Sequence, residues 1–283
     1  MTSRVRLLLA SSHPGPTVTV TVLATVIAAA SGHRPLTVLL VALAVLAGQL
    51  SIGLANDWID AERDRVVGRT DKPVALGLIT VGAVRAAALT TAAVSVVLSL
   101  LLGPVAAVAH LVLVGAGWAY DAGLKRTAWS VAPFLVAFGL LPVVSVAAGD
   151  GRLPAWWAIA TGAVFGVAIH CTNVLPDLVD DAATGVRGFP HRLGLRRSGV
   201  VAFASLVVAA VLVLIGQVGG ADPVRGGGLV LAIAGTVAVV VLAGLGVRLV
   251  LTGPPTRTLF RLVIAASLVL VVELGLSGAR LIG

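Results

Sequence analysis

Charge is scarce in this chain: Asp, Glu, Lys and Arg make up 11% of its 283 residues, where a soluble domain carries about a quarter. With 58% hydrophobic residues and a mean hydropathy of +1.07, a water-facing globular surface is excluded, and the chain reads as an all-α polytopic membrane protein. Its single cysteine, Cys171, excludes an intramolecular disulfide and any cysteine-based metal site. Aromatic residues reach only 4%, so few rings are on hand to face a cation. The N-terminus also lacks a small-residue cleavage site behind a short apolar core, so the first apolar segment is expected to stay as a helix.

What is abundant is apolar sequence in membrane-spanning lengths. Nine stretches qualify, at about 17–31, 36–55, 85–103, 105–118, 130–148, 156–175, 198–217, 228–250 and 259–281. Basic residues are retained on the cytoplasmic side of a membrane. With the N-terminus inside, only Arg34, Arg152, Arg225 and Arg280 of the 20 basic residues fall outside, which sets the N-terminus in and the C-terminus out. The net charge of +8 then sits in loops at the membrane surface, where anionic lipid and the insertion rule account for it, and no nucleic-acid role is expected. Richness in Ala, Val, Arg and Gly suggests a GC-rich bacterial source, hence the cytoplasmic membrane.

Against this background two acidic clusters stand out, Asn56 to Asp64 and Asn173 to Asp181. In each, an Asn is followed by Asp four and eight positions later (Asn56, Asp60, Asp64; Asn173, Asp177, Asp181). At about 100° per residue these positions drift only about 40° per step, so each triad lines one helix face. The clusters lie 117 residues apart, Asp60 to Asp177, each at the inner end of an outside-to-inside span. This predicts a single transmembrane domain of two four-helix units, about 1–125 and 126–283, related along the membrane normal, with a ninth helix added. Taken singly, each cluster also reads as solvated loop acids paired with nearby Arg.

Two oxygen-rich faces turned toward each other suit a hard divalent cation, Mg²⁺ above all, which binds through a few carboxylates and substrate phosphates. Donors for a diphosphate stand beside them: Arg63, Arg69 and Lys72 after the first cluster, Arg187 and Arg192 after the second, and Lys125 and Arg126 between. Each alone also reads as a topology signal. Together they point to a metal-bridged diphosphate stabilised as a leaving group.

The motif N-D-x-x-D-x-x-x-D at Asn56 to Asp64, the second D-x-x-x-D at Asp177 to Asp181, and nine spans resemble the UbiA superfamily of intramembrane prenyltransferases. The stretches Gly185 to Gly194 and Trp118 to Arg126 are similar to loops of that family, although Val186-Arg187-Gly188 stands where a Lys-Arg-Thr-like run is common. The resemblance implies a bundle around a lipid-facing cavity, with both Asp motifs at its cytoplasmic end. There Mg²⁺ would hold an isoprenyl diphosphate, whose ionised prenyl group an aromatic, lipophilic acceptor captures. Asn56, Asp60 and Asp64 would then form the first metal site, and Asp177 and Asp181 the second, with Asn173 placed to join it. Arg69, Lys72, Lys125 and Arg187 are the foremost diphosphate contacts, with Asp60, Asp177 and Tyr120 catalytic. Asp57 is expected to face away from the triad and brace a base, and Asp180 to pair with an Arg.

Trp58, Trp118, Tyr120, Phe134, Phe138 and Phe165 are the rings available to a cation, with interfacial anchoring or packing as the alternative for each. His170, about one turn before Asn173, is in reach of a cavity as a proton acceptor or else is a packed histidine, and His110 has no evident partner. Glu273, deep in the last span, reaches Arg280 or stays protonated. Two other functions share some of these features. A terpene cyclase of the same fold ionises the same diphosphate and needs no acceptor. A transporter would place acids at the bilayer midplane, where only Glu273 lies.

Overall fold

A computed structural model describes residues 3–175, 178, 185–220, 222–253 and 257–283. The elements are α1 (Arg4–Ala10), α2 (Pro14–Ala30), α3 (Pro35–Val66), α4 (Val81–Leu100), α5 (Pro104–Ala122), α6 (Ala132–Val146), α7 (Trp156–Val174), α8 (Phe189–Leu193), α9 (Leu195–Gly219), α10 (Gly227–Thr252) and α11 (Arg257–Ser277). Helix starts follow local chemistry. Pro14, Pro35 and Pro104 open α2, α3 and α5, where a missing N–H costs nothing. The Ser3 and Thr80 side chains accept from the N–H groups of Arg6 and Ala83 to cap α1 and α4.

Among the described residues eight helices are long and apolar enough to cross a membrane. The 17-residue α2 reaches that length only together with α1, from which it is bent by 73°, and the count is nine when the pair is taken as one span. The structure thus contains a helix over every expected span. Consecutive helices pack side by side, and α11 returns to α2 to close the bundle. The two most extensive pairings, α3 on α4 and α7 on α9, begin at the second and sixth spans, where the two clusters lie. Among the described residues the only extended pairing is the bridge between Pro154 and Ile282, which ties the C-terminal residues to the α6–α7 connection.

Val97, Leu231 and Leu268 are each 60% exposed, as expected of side chains that face lipid. Alanines such as Ala24, Ala44, Ala106, Ala168 and Ala210 are fully enclosed and let the helices approach closely. A smaller apolar cluster around Leu54, Ala61, Val74 and Ile79 underlies the Asp-motif end, covered by Leu7 and Leu8 of α1.

One boundary differs from expectation with functional effect. The second span was expected to end near residue 55, but α3 continues to Val66. At 32 residues it is about 48 Å long, well beyond a hydrocarbon core of about 30 Å, so its last turns carry the whole first motif on continuous helix.

Candidate active site

On that helical extension Asp57, Asp60 and Asp64 are only 1–2% exposed. Carboxylates enclosed to this degree require partners. The loop after α3 folds back to supply one: Lys72 Nζ lies 3.0 Å from Asp57 Oδ1 and 2.8 Å from Asp64 Oδ2, and donates to Asn56 Oδ1 at 3.2 Å. The 3₁₀ turn after α5 supplies the other, with Lys125 Nζ 2.6 Å from Asp60 Oδ2 and 4.0 Å from Asp121 Oδ1. Arg63 Nη2 stands 3.4 Å from both Asp60 Oδ2 and Asp64 Oδ1.

Asp57 does not face away from the triad. Positions 57 and 64 are seven apart, two turns of helix, so both carboxylates meet the same ammonium group. Its bracing role is present as well, since His13 Nε2 lies 3.1 Å from Asp57 Oδ1. His13, at φ 52°, is the one non-glycine residue with positive φ among those described.

Asp121, on α5, is a member of this cluster that was not among the site residues expected from the sequence. Asn56 Nδ2 donates to its Oδ1 at 2.8 Å, and the residue is 3% exposed. The signal was its i, i+4 spacing from Lys125. Burial alone would lower the Lys72 pKa, but the charges of Asp57 and Asp64 and their hydrogen bonds outweigh it and hold the pKa above its ordinary value. The side-chain hydrogen bonds from Arg69 pull the nearby Asp71 down to about 2.

Two buried oxygens, Asp60 Oδ1 and Asp121 Oδ2, have no hydrogen-bond donor among the described residues. Together with Asn56 and Asp64 they form a hard-oxygen set of the kind Mg²⁺ takes. As arranged, no group of three His, Cys, Asp or Glu side chains among the described residues is placed to hold a metal ion. The Lys72 and Lys125 ammonium groups lie among these oxygens instead. The donor types therefore fit a divalent cation, and the two lysines are the groups that such a cation would displace.

Of the other predicted residues, Arg69 forms a two-pronged pair with Asp71 at 2.9 Å. Arg187, on the segment leading into α8, and Arg192, on α8 itself, are exposed, with Arg192 Nε donating to the Arg187 carbonyl at 3.3 Å. Asn173 is exposed on the last turn of α7. Asp177, Asp180 and Asp181 lie outside the described residues.

Behind the acidic cluster lies an apolar cavity of about 110 Å³, lined by Gln49, Ile52, Tyr120, Phe134 and Phe138 among others. The Tyr120 ring meets Phe134 and His170 edge-on, with centroids 5.1 and 5.7 Å apart. Trp58 and Trp118 pack on each other instead, 6.2 Å apart, with Arg85 over the Trp58 ring at 5.1 Å. His170 is fully enclosed and its Nε2 meets Ser130 Oγ at 2.9 Å. His110 has a partner after all, with Ser99 Oγ 2.7 Å from its Nδ1.

The model of the UbiA prenyltransferase family matches residues 17–271. The chain belongs to that family. A UbiA homologue from Archaeoglobus fulgidus, bound to GPP and Mg²⁺, has the same fold, with a TM-score of 0.72 at 11% identity over 97% of this chain and 99% of that one. A UbiA homologue from Aeropyrum pernix K1 gives 0.70 at 17% identity over 92% and 96%. A digeranylgeranylglyceryl phosphate synthase gives 0.69 at 17% identity over 98% of both chains. No curated protein sequence matches.

For this UbiA-family chain, the departure at Gly188 has a structural cause. A Cβ there would come 2.7 Å from both the Lys125 carbonyl oxygen and Ser130 Oγ. The adjacent Phe189 N–H donates to the same Ser130 Oγ at 2.7 Å. Through Ser130, the segment that follows the second motif is bound to the second 3₁₀ turn between α5 and α6, just after the turn that carries Lys125.

Proposed function

We propose that this protein is an Mg²⁺-dependent intramembrane prenyltransferase, whose site lies on the cytoplasmic side of the membrane of a bacterial cell. One observation carries the reading: a buried oxygen cluster with two undonated carboxylate oxygens, Asp60 Oδ1 and Asp121 Oδ2, adjoins the mouth of an apolar cavity at Tyr120. A diphosphate head belongs at the first and a prenyl tail in the second. That a related fold is described as bound to GPP and Mg²⁺ supports the same pairing.

Asn56, Asp60 and Asp64 would hold one cation, and Asp177 and Asp181, with Asn173, a second. Mg²⁺ supplies positive charge to the diphosphate oxygens during ionisation. Lys72 and Lys125, released from the carboxylates, turn to the diphosphate, with Arg63, Arg69, Arg187 and Arg192 at the rim. The prenyl C–O bond breaks heterolytically and its electron pair leaves with the diphosphate. Tyr120 and Phe134 present ring faces and edges to the allylic cation, and the enclosing helices exclude water. A lipophilic acceptor then gives an electron pair to the cation and loses a proton.

The test is binding and turnover of geranyl, farnesyl and geranylgeranyl diphosphate by purified protein in lipid, with and without Mg²⁺, beside Asp60→Asn. We expect Mg²⁺-dependent binding that Asp60→Asn weakens, and prenylated product only once an aromatic acceptor is supplied. Cyclic hydrocarbon or alcohol without acceptor would replace this reading by a terpene cyclase. Absence of binding by the wild type would overturn both.

A further inference from the structure

The apolar space beyond Tyr120 is divided in two. Deeper, among α2, α6, α7 and α11, with Leu23, Ala158 and Leu274 on its walls, lies a narrow second void of about 20 Å³. Phe138 and Leu141 of α6 line both chambers. We propose that Phe138 is the partition that sets the length of prenyl tail the site accepts, an inference that rests on the prenyltransferase reading.

The chain holds Phe138 in place by several independent means. Pro142, four residues on, has no N–H to give the Phe138 carbonyl, which frees that carbonyl from the helical ladder. The carbonyl faces Gly162 of α7, and that of Phe134 faces Gly166. A Cβ at either glycine would collide with the oxygen opposite, so α6 and α7 meet backbone to backbone. The Phe138 ring stacks on Phe134, with centroids 6.4 Å apart and planes 9° from parallel. On its other side Phe165, itself buried, meets it edge-on at 5.7 Å. The ring thus stands on a rigid base, supported by two others, and is only partly buried because it borders the chambers.

Length follows from helix geometry. From Phe134, beside Tyr120, to Leu141 is seven residues, about 10 Å at a rise of about 1.5 Å each. An extended isoprene unit has four chain bonds of about 1.5 Å and spans about 5 Å. Phe138, four residues on from Phe134, lies about 6 Å along and Leu141 about 10 Å, so one to two units fit before the tail meets them, and longer tails need the volume that the Phe138 ring and the void behind it occupy. Both chambers are lined mainly by apolar groups, so shape rather than polarity discriminates between tails. The wild type favours a ten-carbon tail, and removing the Phe138 ring joins the chambers and admits longer ones.

The experiment measures dissociation constants of geranyl, farnesyl and geranylgeranyl diphosphate with Mg²⁺, in lipid, for wild type, Phe138→Ala and Phe138→Ala combined with Leu274→Phe. We expect Phe138→Ala to raise the affinity for the twenty-carbon relative to the ten-carbon ligand by about tenfold or more, and Leu274→Phe, which refills the deeper chamber, to reverse that gain. Phe138→Leu serves if the alanine variant does not fold, with a smaller shift in the same direction. A wild type that binds these ligands, with an unchanged length profile in the Phe138 variants, overturns the partition and leaves the prenyltransferase reading intact. A wild type that binds none of them overturns both.

Discussion

Among the described residues, buried carboxyl groups occur at two places in this bundle, and the two are handled differently. At the Asp-motif end, Asp57, Asp60, Asp64 and Asp121 crowd together, and Lys72, Lys125 and Arg63 stand among them. In α11, Glu273 is 5% exposed and has no cation in reach among the described residues. The expected link from Glu273 to Arg280 is absent because Arg280 turns to Asp222, donating to its carbonyl at 2.7 Å and standing 3.3 Å from its carboxylate. Gln217 donates to the Glu273 backbone carbonyl and to Ser277 Oγ, which leaves the carboxyl itself against Gly235. One carboxyl can be tucked between helices, but four acids within a few ångströms repel one another unless cations are interleaved. A site built in this way can also exchange its cations, lysine for metal, whereas the Glu273 site has nothing to exchange.

The largest effect should come from unpairing the cluster. Lys125→Met leaves Asp121 buried without a cation and Asp60 with Arg63 alone, and should cost about 3–5 kcal/mol in unfolding measured without divalent ions. Added Mg²⁺ should restore part of this loss. A melting temperature unchanged by the substitution would remove the distinction between the two ends.

Next is the pH dependence of Lys72. Its pKa is raised in the fold, so its contribution is complete below the ordinary lysine value of about 10.4 and is lost as pH rises through the higher folded value. Lys72→Met should be less stable than wild type by about 1–3 kcal/mol at neutral pH, with the gap closing in strongly alkaline buffer. Thermal melts from pH 8 upward would show whether it closes.

Glu273→Gln sharpens the contrast from the other side. It removes a carboxyl that pairs with no cation, so unfolding should shift by no more than about 1 kcal/mol and prenyl diphosphate binding should not change. A loss as large as that of Lys125→Met would show that Glu273 is paired in the membrane. The smallest effect belongs to Asp71, which is mostly exposed. Its pKa is lowered to about 2, so the pair with Arg69 contributes above about pH 4 and is lost as pH falls through about 2. Asp71→Asn should cost about 0.2–1 kcal/mol at pH 7, read from denaturant or thermal midpoints.

Much of this was legible in the residues. Apolar runs of membrane length located a helix at each of the nine expected places, eight of them long enough alone to cross a membrane, because a helix must satisfy its own backbone in lipid wherever it lies in the bundle. The i, i+4, i+8 spacing placed Asn56, Asp60 and Asp64 on one face, and family membership bears out the fold to which they pointed. Less legible was that the apolar span and the acidic face form one continuous α3, since hydropathy marks only the part of a helix that lies in lipid. The orientation of Asp57 was misjudged because the triad's spacing was weighed and the i, i+7 spacing to Asp64 was not. Asp121 and His13 had no periodic signal linking them to the motif, being 64 and 44 residues from Asp57.

What the sequence determined by itself is local: the membrane class, the helix starts at Pro14, Pro35 and Pro104, and the acidic face of α3. These depend on hydropathy, backbone chemistry and a 3.6-residue period, all of which act between near neighbours. Tertiary structure decided which charges meet. It brought Lys72 and Lys125 to one acidic face, bound the Gly188 segment to Ser130, and set Phe138 at the border of two apolar spaces. Ion pairing and packing act through space, and the distances that govern them arise only when loops and helices far apart in the chain close on one another.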